Sequence, residues 1–428
     1  MIPAIRGTHD ILPDEVGRWR FVEETARRLF ALYGYVELRT PIIEREELFA
    51  KGTGETTDVV QKEMYSFTDK GGERVTLRPE ATPSIVRAYV EHNLEQTLAV
   101  PKLYSIGPMF RYERPQKGRY RQFHQLDVEV FGIEDPAVDA EVIDVAWTLL
   151  QRLGIRDAAL VINSVGCPQC RPAFAAALVD ALGEDLMRLC ADCRRRAETN
   201  PLRIFDCKVP SDQETIERLP HTVDYLCAAC REHFESVKAH LAACGIEFEV
   251  SHRLVRGLDY YTRTTFEILG RTARAAQNAL LGGGRYDGLV GKLGGPDVPG
   301  IGFAAGLERL VQALPENVPG SAEPPVVFIA AHGEAAREVA LELARELRQA
   351  DVPAQLDLEG RSLKSQMKRA ARMRAPVVLI LGEDELASGT VTMRNMRSSE
   401  QHRVLRADLV ERLQRAVADL GSGGEETP

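Results

Sequence analysis

No stretch of this 428-residue chain stays apolar for the ~18 residues that a membrane-crossing helix requires. Its first residues, MIPAIRGTHDILP, also lack the apolar core of a secretory signal, so a cytoplasmic protein with no membrane contact is expected. Positive charge is in deficit: 54 Lys and Arg stand against 63 Asp and Glu, a formal net charge of −9. That balance excludes a protein that coats nucleic acid non-specifically, because such binding needs a broadly basic surface. A disulfide framework does not suit the expected compartment, and the eight cysteines read as reduced thiols or metal ligands. What remains is length for two or three domains and, at 44% hydrophobic and 27% charged, an ordinary globular composition.

Against the acidic background, one segment is locally basic. Between Arg111 and Arg121 lie Arg111, Arg114, Lys117, Arg119 and Arg121, with Glu113 as the single acid. Apolar, strand-like runs flank it, SIGPMF before and VEVFG after, and Pro115 and Gly118 interrupt regular structure between them. Two strands joined by a long basic loop follow, and such a loop on an acidic body asks for a nucleotide or the end of a nucleic acid. On the returning strand, Phe123, Gln125 and Glu129 alternate, which a plain charged hairpin would not need.

The rest of the chain falls into recognisable pieces. Val16, Trp19, Val22, Ala26, Leu29 and Tyr33 recur at helical spacing after Asp14, Gly34 closes that helix, and the strand YVELRTP follows. RVTLRPE reads as a strand ending near Glu80, with a helix from about 83 to 91 and another over 137–153. From about 167 to 250 the chain turns cysteine-rich and mostly helical, an insertion in a larger domain spanning 1–315, whose strands resume in EFEVSHRLVRGLDYY and TTFEILG. Residues 316–325 form a proline-rich linker. Beyond it, VVFIAA, AQLDL and PVVLILG alternate with helices near 334–350 and 362–374, a small α/β domain over 326–420 with a largely parallel sheet. GSGGEETP, 421–428, is expected to be a disordered tail.

Four segments belong together: TLRPEATP (76–83), the basic loop with its returning strand, LVRGLDYYTRTTFE (254–267) and GIGFAAGLERL (300–310). GIGFAAG is loosely like a dinucleotide-binding loop, but a linker follows instead of a βαβ unit with its downstream acid. A glycine-packed strand that places Arg309 in a helix's first turns is more economical, and an arginine there suggests that it faces an anion. These segments, with LGGGRYDGL (281–289), resemble the histidyl-tRNA synthetases of the class II aminoacyl-tRNA synthetase family, from RGTHDILP through LILGEDEL. The stretch 16–41 is similar to that class's motif 1, 107–131 to motif 2 and 300–310 to motif 3, while RGLDYY and GGGRYDGL are similar to the two histidine-specific signatures.

The resemblance implies an α+β catalytic domain, an antiparallel sheet flanked by helices, that activates L-histidine with ATP and magnesium and charges histidine tRNA as a homodimer. Such activation needs positioned cations and no protein nucleophile. Arginine suits the task because its fork donates two hydrogen bonds to one phosphate. Arg111 and Arg256 would then hold the α-phosphate and the reacting carboxylate, and Arg309 the γ-phosphate. Glu113 would accept from the adenine amino group and Phe123 would stack on the base. Glu80, Thr82 and Gln125 would hold the substrate's α-amino group, and Glu129 and Tyr261 its ring nitrogens, with Tyr260 lining the pocket. Gly282, Gly283 and Gly284 would let backbone approach the ligand. Gln116, Lys117 and Arg119 would meet the tRNA acceptor end. Arg361, Lys364, Lys368 and Arg372 fall on one helical face of the anticodon-binding-type domain, either as an RNA contact or as a solvated surface.

Beyond the resemblance stand three CxxC pairs, Cys167/Cys170, Cys190/Cys193 and Cys227/Cys230, any two of which could make a tetrahedral zinc site. Packed helix residues are the alternative. The rival to the enzyme reading is a non-catalytic, synthetase-like regulatory subunit of histidine biosynthesis. Retention of Arg111, Arg256, Arg309 and residues 326–428 weighs against it.

Overall fold

A computed structural model of the chain describes residues 2–55, 57–113, 118–270, 278–318 and 326–422, with side chains as far as 415. It divides into two compact units, Met1–Ser321 and Ala322–Pro428.

The first unit is built on eight strands: β1 (Val36–Glu37), β2 (Lys102–Phe110), β3 (Gln122–Phe131), β4 (Ala158–Ser164), β5 (Phe248–Val250), β6 (Thr262–Gly270), β7 (Ala279–Arg285) and β8 (Gly300–Gly306). They lie in the order β1-β2-β3-β8-β7-β6-β4-β5. The central six pair antiparallel throughout, and each edge strand runs parallel to its neighbour. The expected antiparallel sheet is therefore present. YVELRTP contributes only two residues to it, because an edge strand has one neighbour and Pro41 has no N–H to extend the ladder.

Side chains alternate across a strand, and β3 uses both faces. Leu126, Val128 and Val130 are buried in an apolar cluster with Trp19, Val22, Ala26 and Leu29 of the helix Pro13–Leu32 and Val142, Val145 and Leu149 of the helix Pro136–Arg152. Gln125, Asp127 and Glu129 consequently point the other way. That second face is roofed by a smaller cluster including Ile85 and Tyr89 of the helix Thr82–Glu91. A three-stranded sheet, Ile43–Arg45, Tyr65–Thr68 and Arg74–Leu77, leads into this helix and delivers Glu80 and Thr82 to the same face.

The insertion leaves after β4 with helices Arg171–Leu182, Ala191–Thr199 and Ala228–Ala243. It returns at β5, so Phe248–Val250 belongs to the main sheet rather than to the inserted segment. Phe234, Val237 and Leu241 of its last helix join the main core.

In the second unit, Val327–Ala331 pairs in parallel with Ala354–Leu356 and Val377–Leu381. An antiparallel hairpin, Thr390–Asn395 and Gln401–Leu405, extends this sheet beyond the expected βαβαβ order. Arg361 precedes the helix Leu363–Arg372 and pairs with Glu359, so the basic face of that helix reduces to Lys364, Lys368 and Arg372. The last helix, Leu409–Ser422, runs two residues into the stretch expected to be a disordered tail. Residues 319–325 of the linker and 423–428 lie outside the described residues.

Candidate active site

The open face of β3, β8 and β7 floors a cavity of about 300 Å³. Glu80, Thr82, Arg111, Glu113, Arg119 and Phe123 line it. So do Gln125, Glu129, Arg256, Tyr260, Tyr261 and Arg309, residues drawn from segments more than 200 positions apart. Gln116 and Lys117 lie outside the described residues.

At its deep end two carboxyl groups are sealed among hydroxyls. Thr53 Oγ1 and Tyr260 Oη both donate to Glu80, the latter at 3.0 Å. Thr82 Oγ1 donates to Glu129 at 2.5 Å, and Tyr286 Oη donates to its other oxygen. Burial pushes Glu129 up to about 8, further than the two hydroxyls can pull it down. Glu80 is raised for the same reason. Gly302 sits opposite Glu129 in the β3–β8 ladder, where a Cβ would overlap the carboxylate. Glycine is thus required there by close approach.

Alongside, Gln125 Oε1 and both oxygens of Asp127 are buried without a hydrogen-bond donor among the described residues. Asp127 was not anticipated from sequence; its place two residues from Gln125 and from Glu129 on one strand was the available signal. Burial, and then the neighbouring Glu129, raise its carboxyl well above the usual range. Buried acceptors lacking donors call for a donor from a ligand, and an ammonium group fits.

Toward the mouth the lining turns cationic. Arg111 Nε donates to the Pro79 carbonyl at 2.8 Å, and its guanidinium lies 5.3 Å from the centre of the Phe123 ring. Arg256 pairs with Glu267 and lies over Tyr261 at 5.8 Å. Gly282 faces Glu267 across the β6–β7 ladder, and a Cβ there would meet the Arg256 guanidinium. A Cβ on Gly283 would meet Phe303 and the Gly302 carbonyl, and one on Gly284 the Thr264 carbonyl and Tyr261. The three glycines therefore make room for pocket side chains and neighbouring strands of the protein itself. Arg309 Nη1 donates to the Ala279 carbonyl at 2.7 Å. Burial, and then Arg119, hold its guanidinium below the usual range. Glu308 anchors the helix that carries Arg309 by accepting from the backbone N–H of His124 at 2.9 Å. Glu113 pairs with Arg119 at 2.8 Å.

Sequence reasoning missed Thr53, Tyr286 and Glu267, the partners of Glu80, Glu129 and Arg256, and Glu308, which holds the His124 backbone. None of the four lies beside its partner in sequence.

The family model described as Histidyl-tRNA synthetase matches residues 7–310, and that described as Anticodon binding domain matches 326–416. A histidine–tRNA ligase of Geobacter metallireducens is 51% identical over 405 residues, 95% of this chain and 97% of its own. One of Halothermothrix orenii is 49% identical over 421 residues, 97% of this chain and 100% of its own. The solved apo histidyl-tRNA synthetase of S. aureus superposes with a TM-score of 0.82 at 38% identity, covering 97% of this chain and all of that one. A structure from Bacillus halodurans C, described as an ATP phosphoribosyltransferase regulatory subunit/histidyl-tRNA synthetase, aligns at a TM-score of 0.62 over 89% of this chain and 97% of its own. At 20% identity it shares the fold alone. With catalytic and anticodon-binding matches in one chain and relatives near 50% identity over almost its whole length, the chain belongs to the histidyl-tRNA synthetase family.

Proposed function

We propose that the protein activates L-histidine with ATP to histidyl-adenylate and transfers histidine to the 3′ end of histidine tRNA. The observation that carries this reading is one cavity with buried carboxyl groups at its deep end and arginines toward its mouth. The acidic end suits an amino acid with a cationic ammonium and a ring N–H. Glu80, Thr82 and Gln125, with Asp127, would take the ammonium, and Glu129 and Tyr261 the ring nitrogens, with Tyr260 and Tyr286 holding the two glutamates in place. An apolar analogue would leave those acceptors unpaired and be rejected strongly.

Arg111 and Arg256 would bracket the reacting carboxylate and the α-phosphate, and Arg309 the γ-phosphate, each stabilising charge that spreads over phosphate oxygens. Glu113 would accept from the adenine amino group once Arg119 releases it toward the tRNA end, with Phe123 against the base. Magnesium would enter with ATP, held mainly by the phosphates and water. Zinc in the insertion would serve architecture rather than the reaction. Gln116, Lys117 and Arg119 would meet the acceptor end, and the second unit the anticodon region. A cytoplasmic homodimer completes the reading. Among the described residues no helix is long and apolar enough to cross a membrane.

Pyrophosphate exchange into ATP across all twenty amino acids tests it. Exchange should appear with histidine alone and fall about 10²–10³-fold in Arg256→Ala. Silence with every amino acid would overturn the enzyme reading in favour of a regulatory, non-catalytic one.

A further inference from the structure

The insertion's cysteines are gathered into two separate clusters. Cys167, Cys170, Cys227 and Cys230 bring four sulfurs within 4.8 Å of one another, although the two pairs are some sixty residues apart in the chain. The third pair joins neither of the others. Cys190 and Cys193 instead converge with Cys207 and the carboxylate of Asp212, again within 4.8 Å. Cys207 and Asp212 lie outside any CxxC pattern and could not be picked from sequence.

The spacings discriminate between uses of a thiol. Cys167 Sγ lies 3.6 Å from Cys170 Sγ and 4.0 Å from Cys227 Sγ, and Cys190 Sγ lies 3.8 Å from Cys207 Sγ. A disulfide would hold them at about 2.05 Å. A tetrahedral ion with bonds of about 2.3 Å to sulfur sets its ligands roughly 3.8 Å apart, as found here. A multi-iron cluster would spread its four sulfurs more widely, so the fit is to a single soft ion, zinc or an iron in the same geometry.

Surrounding groups suit thiolate ligands. The backbone N–H of Cys227 donates to Cys170 Sγ at 3.2 Å, that of Cys193 to Cys190 Sγ at 3.5 Å, and that of Val209 to Cys207 Sγ at 3.4 Å. Asp212 is 1% exposed and is oriented by the N–H of Cys190 at 3.0 Å. Plain core packing explains buried cysteines but not a carboxylate buried among them, which would be expensive without a cation. A small inserted segment with a modest apolar cluster of its own also needs staples.

We propose that the insertion binds two structural ions of the zinc class. One is held by Cys167, Cys170, Cys227 and Cys230, the other by Cys190, Cys193, Cys207 and Asp212. Both sites sit at the roots of contacts to the substrate loop. Arg171, next to Cys170, donates to the Tyr261 carbonyl, and Asn200, just past the helix that Cys190 caps, donates to Asp259 Oδ1 at 3.0 Å. Each ion thus braces the segment 256–261 that carries Arg256, Tyr260 and Tyr261.

Elemental analysis of untagged, full-length protein prepared without added metal should find two ions per chain. A mercurial thiol reagent should release both to a chromogenic chelator. Cys170→Ser and Cys193→Ser should each retain one, and Cys244→Ser, at an exposed cysteine outside both clusters, should retain two. If the variants fail to fold, cobalt exchanged into the native chain still reports both sites through tetrahedral absorption and sulfur charge transfer. Hydrogen exchange at residues 256–261 should rise when metal is removed. Fewer than two ions in the native chain, two in Cys170→Ser or in Cys193→Ser, or unchanged exchange after removal would overturn the proposal.

Discussion

A carboxyl group enclosed by Thr82, Tyr286 and Gly302 does not ionise as it would in water. Glu129 rises to about 8, and Asp127 and Glu80 move the same way, because burial penalises the charged form of each. The folded protein therefore holds protons that the unfolded chain has released, and stability falls as pH climbs from the ordinary glutamate range through 8. One such group contributes a slope of about 1.4 kcal/mol per pH unit within that window. The ligand-free protein should accordingly lose thermal stability between pH 6 and 8. Glu129→Gln, which cannot ionise, should lose less, and equal losses in the two proteins would remove Glu129 as the source. Tyr286→Phe probes the same carboxylate from outside the reaction. Without that hydroxyl, kcat/KM for histidine should drop about tenfold, the upper end of what one hydrogen bond contributes, while KM for ATP stays put.

Among the elements, one buried ion-pair junction joins three of them through a single carboxylate. Arg285 of β7 and Asp139 of the helix Pro136–Arg152 are both 0% exposed. Arg285 Nε donates to Asp139 Oδ1 at 3.0 Å, and Asp139 Oδ2 meets His233 Nε2 of the insertion's last helix at 2.8 Å. Three elements are thus joined through one carboxylate, held below its usual range by His233 and Arg285 against the opposing effect of burial. Its contribution is present above the ordinary aspartate range and fades on acidification. Asp139→Ala strands a buried cation and should destabilise the protein by about 3–5 kcal/mol in urea unfolding. A loss under 1 kcal/mol would show the junction to be dispensable. Much of this level could be read in advance. The 3.6-residue period gave the helix Pro13–Leu32, and the alternation of Phe123, Gln125 and Glu129 marked a functional face on the returning strand. Arg285 and Tyr286 were legible only as parts of a signature, since their partners Asp139 and Glu129 lie about 150 residues away. The pairing of cysteine clusters was illegible for the same reason: spacing along the chain says nothing of which loops meet. The hairpin Thr390–Leu405 was missed because its edge strand, Gln401–Leu405, is exposed except at Val404 and so carries no apolar alternation.

For the whole molecule, each unit has apolar clusters of its own among the described residues. In the second unit Val327, Ile329 and Ala331 face one apolar cluster and Phe328 and Ala330 another, so its sheet is covered on both sides by its own helices. The first unit contains every pocket residue named above. Chemistry at the amino acid and ATP should then survive without residues 322–428, whereas a long RNA would lose its second hold. Two linked sites gain from effective concentration by roughly 10²–10⁴ over either alone, so a chain ending at Ser321 should lose tRNA charging by a factor in that range. The loss should fall mainly in KM for tRNA. Histidine-dependent pyrophosphate exchange by the same truncated chain, measured beside it, should stay within a few-fold of the full-length value. Equal collapse of both activities would mean that the second unit supports the catalytic fold, and undiminished charging would mean that it does not grip tRNA.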